Sequence, residues 1–232
     1  MAAPTFVSAG SIVNDLTGAA STTPTPPAHL TGDLLVAVSI NAAGATMTTA
    51  TGGWTKLGEG GTTAHSAVFA RIAPGAGTAG PTITASSTDQ WALVYVFRGT
   101  ATGLDYAMNN NFLGTTDATP STSAITTKGP ERFVVACAGI DSNAAYTSGL
   151  PPAGWTSSSD LSDANGTTSR FTLITRTENT ELTSVAAANV GTFAASHNGS
   201  VWTAELCPPV PVVPDVRSLV EIEQHLMRSA VY

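Results

Sequence analysis

Charge is what this chain has least of. Only 11% of its 232 residues are charged, and nine Lys and Arg stand against 16 Asp and Glu. A typical globular protein carries about 25% charged residues. The net charge is −7. Nucleic-acid affinity comes from neutralising phosphates with a basic stripe, and the basic residues here are scattered singly, so direct DNA or RNA binding is not expected. The first Lys or Arg is Lys56, so the opening "MAAPTFVSAGSIV" lacks the positive region that precedes the apolar core of a secretory signal. No apolar run approaches the roughly 18 residues of a membrane span. The expectation is a soluble protein made in a cytoplasm.

Cysteine is nearly missing as well. Cys137 and Cys207 lie in the apolar runs "FVVACAGI" and "WTAELC". Their simplest reading is two buried thiols behaving as small hydrophobes; a disulfide is the alternative, disfavoured in a reducing compartment. Two cysteines with no paired histidine offer no zinc site. Aromatics are 6% of the chain, with four tryptophans. Two of these stand in the same tripeptide, Gly53-Trp54-Thr55 and Gly154-Trp155-Thr156.

What is present is β sequence, twice. "GDLLVAVSI" (32–40) matches "ERFVVACAGI" (131–140), and "AVFARIA" (67–73) matches "TLITRTE" (172–178), with Arg71 on Arg176. "WALVYVFRG" (91–99) matches "WTAELCPP" (202–209), with Trp91 set on Trp202. The leading segments 14–27 and 110–123 also correspond, so related halves span about residues 4–99 and 104–207. Runs rich in Val, Ile, Thr, Phe and Trp are bounded by Gly, Pro, Asn, Asp and Ser throughout. In 67–73, Val68, Ala70 and Ile72 should point one way and Phe69 and Arg71 the other. "DLLVAVSI" and "WALVYVF" are continuously apolar, so both faces should be covered. Asn165-Gly166 and Asn198-Gly199 read as hairpin turns, since Asn-Gly accepts positive φ at both positions. Trp91 and Trp202 should fill the core between sheets, and the Gly-Trp-Thr rings should plug one end of it. Were those rings exposed, they would be paired platforms for a sugar.

The fold class expected is therefore all-β: an antiparallel sandwich of two related halves over 1–209. Residues 210–232 form a spacer and tail. "PPVPVVP" (208–214) is extended and semi-rigid. In "DVRSLVEIEQHLMRSAVY", Asp215 suits an N-cap. Val216, Leu219, Val220, Met227 and Ala230 share one helical face, interrupted by Glu223, with Leu226 beside them. A helix of about 14 residues is marginal alone in water, so it must dock, either on its own sandwich or on a neighbouring subunit. The proline spacer favours the neighbour. The partner-contact residues expected are Val216, Leu219, Val220, Leu226, Met227 and Tyr232.

Catalytic motifs are lacking. There is no Gly-x-Ser-x-Gly elbow and no phosphate-binding Gly loop opening a helix. His29, His65, His197 and His225 are isolated, without the spacing of a helical metal pair. His197 reads as an exposed hairpin residue. Asp141 beside Ser142 reads as a turn. "DLSDANG" (160–166) puts Leu161 where the first ligand of a calcium loop belongs, so that match fails. The sequons at Asn165 and Asn198 mean only hairpins without a secretory signal. No catalytic residue, metal or cofactor is expected.

The doubled series Gly32-Asp33-Leu34-Leu35-Val36-Ala37, Trp54, Arg71, Trp91 and Arg98-Gly99 resembles tailed-bacteriophage virion structural proteins: head decoration or minor tail proteins built as Thr/Ala/Gly-rich sandwiches, which implies that the antiparallel sandwich is jelly-roll-like. The second copy departs from it, with Glu131-Arg132 for Gly32-Asp33 and prolines for Arg98-Gly99. The resemblance implies a non-enzymatic virion protein, most simply a capsid decoration (cement) protein bound to the major capsid protein or other virion proteins. It also implies a homo-oligomer, commonly a trimer. The alternative is a minor tail protein or a carbohydrate-binding, adhesive module on a tail, with a glycan as partner.

Overall fold

The structure, a computed structural model, describes residues 2–209 apart from 18–19, 62, 88, 102–106, 116–117, 142–145, 148–150, 163–168, 181 and 194–197. The expected helix and its contact residues Val216, Leu219, Val220, Leu226, Met227 and Tyr232 lie outside the described residues, as do Asn165-Gly166 and His197. Among the described residues there is no helix.

The first half contributes β1 (Thr5–Ala9), β2 (Val13–Asp15), β3 (Ser21–Thr22), β4 (Leu34–Asn41), β5 (Met47–Thr49), β6 (Thr55–Gly60), β7 (His65–Ile72), β8 (Ile83–Ala85) and β9 (Gln90–Arg98). The second contributes β10 (Ala107–Thr115), β11 (Ile125–Thr126), β12 (Arg132–Asp141), β13 (Tyr146–Thr147), β14 (Thr156–Ser162), β15 (Ser169–Glu178), β16 (Ser184–Val185), β17 (Thr192–Phe193) and β18 (Asn198–Leu206).

Two large antiparallel sheets run in the orders β1-β9-β4-β7-β6 and β10-β18-β12-β15-β14, with β2 also paired to β9. Small sheets accompany them: β3-β8-β5 in the first half, β11-β16 and β13-β17 in the second. The large sheets face each other, β4 over β12, β7 against β18, β6 against β10 and β1 against β14. The second sheet is thus stacked in reverse order on the first.

Strand alternation sorts the side chains into three cores. Leu34, Val36, Val38 and Ile40 of β4 face inward with Trp91, Leu93, Tyr95 and Phe97 of β9. They meet Phe133, Val135 and Cys137 of β12, Phe171 and Leu173 of β15, and Trp202, Ala204 and Leu206 of β18. The opposite positions Leu35, Ala37, Phe69, Val94 and Val96 pack outward on Met47, Ile83 and Ala85 of the small sheet. Val134, Ala136, Ile174 and Val201 do the same against Ile125, Val185 and Val190. A two-layer sandwich would leave one apolar face of each large sheet in water; the short sheets cover those faces, giving four layers. The alternation expected for 67–73 holds: Val68, Ala70 and Ile72 pack in the shared core, and Phe69 in the outer one.

Three expectations are corrected. Ile40 pairs with Trp91 and Leu34 with Phe97, while Cys137 pairs with Trp202 and Phe133 with Leu206. Once Leu34 is set on Phe133, Trp202 falls where Leu93 stands, two residues from Trp91. Both rings still reach the shared core, because a shift of two preserves the face. Second, Asn198-Gly199 is no turn; it opens β18, opposite Asp141 and Ile140. A side chain at Gly199 would collide with the Gly139 carbonyl and Ile140, so glycine serves close approach there. Third, Asp141 is the last residue of β12, not part of a turn.

Candidate functional site

Both ends of the described chain meet at one end of the molecule. Pro209 follows β18, Ala2 and Ala3 precede β1, and Arg98-Gly99 closes β9; together with Thr5 these line an apolar hollow of about 540 Å³. Phe97 and Phe133 meet edge-on there at 6.3 Å, and the Ala101 N–H donates to the Cys207 carbonyl at 2.7 Å. The two halves are joined at this tail end. Of the three exposed large apolar residues among those described, Leu30 (56% exposed) and Leu182 (72%) belong to turns at this end, and Leu182 holds a left-handed φ of 54°.

An ion pair fixes each half here. Buried Asp33 accepts from Arg98 Nε at 2.8 Å and Nη2 at 2.7 Å, and from the Leu30 N–H at 2.8 Å. The guanidinium holds the Asp33 carboxyl below its ordinary range, against the opposing effect of burial. In the second half the partners exchange signs across the strands. Arg132 of β12 stands where Asp33 does, 3.1 Å from fully buried Glu205 of β18, which also accepts from the Lys128 N–H at 2.9 Å. The loss of Gly32-Asp33 and Arg98-Gly99 from the second copy is thus a replacement of one pair by another.

The Gly-Trp-Thr motifs are structural. Trp54 is 8% exposed and Trp155 7%, each in its own half's outer core rather than at the end of the shared one. Trp54 Nε1 donates to the Ala79 carbonyl at 3.3 Å. Gly53 and Gly154 take left-handed φ of 81° and 84°, and Arg71 and Arg176 lie against them. Neither ring presents a free face for a sugar. Cys137 and Cys207 are free and buried; desolvation pushes the Cys137 thiol up to about 12, so it is no nucleophile.

Sequence reasoning passed over one cleft. Residues 23–29 and 76–80 enclose about 330 Å³ beside His29. His29 Nδ1 lies 2.7 Å from the Pro27 carbonyl, and Nε2 accepts from the Thr78 N–H at 3.1 Å, so both ring nitrogens are used in holding two loops together. Among the described residues, no group of three His, Cys, Asp or Glu gathers to hold a metal, and no helix is long and apolar enough to cross a membrane.

The architecture defines the class as far as geometry can: an all-β protein of stacked antiparallel sheets. No protein-family model, curated protein or solved structure matches the chain.

Proposed function

We propose that this chain is a non-enzymatic structural protein of a tailed-bacteriophage virion, in which a doubled sandwich is carried on the assembled head as a decoration protein and the tail 210–232 is its anchor. The observation that carries this reading is the convergence at one end: Pro209, the residue that leads into the tail, lies beside an apolar hollow, next to exposed Leu30 and Leu182. An anchor leaving there directs that end toward the shell and the loops at the other end outward. Weak contacts multiply on a symmetric shell, because each contact after the first is intramolecular.

The strand orders support reading each half as a duplicated jelly-roll unit. β1-β9-β4-β7 in one sheet and β3-β8-β5 in the other is the order of an eight-stranded double Greek key, with β6 shifted to the β7 edge. β10-β18-β12-β15 repeats the first of these.

Deleting 210–232 tests the anchor: the truncated protein should keep its fold and lose incorporation into particles. Unchanged incorporation would refute the role. The number of copies per virion separates a head protein, present in hundreds, from a tail protein, present in few.

A further inference from the structure

The end opposite Pro209 holds a row of oxygen-bearing side chains. Asp141 closes β12; its cross-strand neighbours are Ser169 of β15 and Asn198 of β18. Val135 and Cys137 of β12, Phe171 and Leu173 of β15, and Trp202 of β18 face the shared core. Alternation by two therefore carries Asp141, Ser169 and Asn198 along the same face to the rim of that core. The first sheet supplies Asp89, just before β9, placed by the Ala42 N–H donating to its carbonyl at 3.0 Å.

Two features of this row are unfavourable as they stand. Asp141 is only partly exposed with the charge of Asp89 acting on it, and neither carboxylate takes part in any of the ion pairs among the described residues. Independently, Ser169 is 1% exposed and its Oγ is buried with no hydrogen-bond partner. An orphaned buried hydroxyl costs about 1–3 kcal/mol. Two carboxylates, a hydroxyl and an amide oxygen make a hard donor set, the kind that suits calcium rather than a nitrogen- or sulfur-seeking metal.

We propose that Asp89, Asp141, Asn198 and Ser169 form a calcium site at the rim of the shared core, binding the first sheet to the second. The cation would neutralise both carboxylates and give Ser169 Oγ a partner, and it would clasp the halves at the end opposite their Ala101–Cys207 junction. The proposal does not rest on the virion reading.

Thermal melts of the full chain at neutral pH, in EDTA and across a calcium chloride titration, test it. Calcium should raise Tm saturably, with half-saturation about 0.1–1 mM, the range of sites with few charged ligands. Asp141→Asn should weaken that response at least tenfold, yet melt above wild type in EDTA, because the carboxylate repulsion is gone. Ser169→Ala should keep the EDTA Tm at or above that of wild type and weaken the calcium response. The proposal is overturned if calcium gives no shift beyond that of sodium chloride at equal ionic strength, or if Asp141→Asn responds as wild type does.

Discussion

Single residues in this molecule act through burial and partners. Asp33 is the clearest case. Arg98 holds its carboxyl below the ordinary value of 3.8, so the folded state binds its proton less readily than the unfolded chain does. Its contribution is present above about pH 4 and lost as pH falls through the depressed folded value. Wild type should lose stability below about pH 4 more steeply than Asp33→Asn, measured by urea unfolding across the acid range. At neutral pH the variant should be about 2 kcal/mol weaker, through loss of charge-assisted hydrogen bonds. Asp141 has the opposite sign. Its folded value is raised from 3.8 by burial and by Asp89, so stability in EDTA should fall as pH rises through that raised value, and Asp141→Asn should flatten the fall. Gly139 makes a steric demand: a Cβ there would lie 2.7 Å from Ile40 Cγ1 and 3.0 Å from Ser66 Oγ. Gly139→Ala should cost about 3 kcal/mol, read from the urea midpoint.

At the scale of elements, outer strands and turns follow rules that central strands do not. Every edge of the large sheets carries a register irregularity: Phe6/Ser8 in β1, Lys56/Gly58 in β6, Met108/Asn111 in β10 and Ser157/Ser159 in β14. Bulges twist an edge away from pairing with another chain. The Gly-Trp-Thr turns leading into β6 and β14 put a large ring under each small sheet. Trp54→Ala and Trp155→Ala should each cost about 3–5 kcal/mol in denaturant unfolding. If either ring instead bound sugar, its removal would silence a glycan-array signal at little cost in stability. The central strands were readable from sequence because "LLVAV" of β4 and "WALVYVF" of β9 are unbroken apolar runs. The edges were less so: Asn198-Gly199 has the composition of a turn yet enters β18, since the carbonyl of Gly139 leaves no room for a side chain.

At the scale of the molecule, the three cores share the same two sheets. Separating the halves would bare Trp91, Tyr95 and Phe97 on one side and Phe133, Phe171 and Trp202 on the other. The whole should therefore unfold in one cooperative transition, with calorimetric and van't Hoff enthalpies equal. Two resolved transitions would mean that the halves are independent.

Periodicity and composition were enough to establish an all-β chain and the burial of Trp91 and Trp202, because alternation and β-branched runs are local properties. Pairing register, the extra outer layers and the meeting of Asp141 with Ser169 and Asn198 are not local. They depend on which strand lies beside which, and a shift of two residues, as between Trp91 and Trp202, keeps every side chain on its face and leaves no mark in the pattern. Hydrophobicity specifies the face a residue takes; its neighbour there is chosen only when the sheets stack.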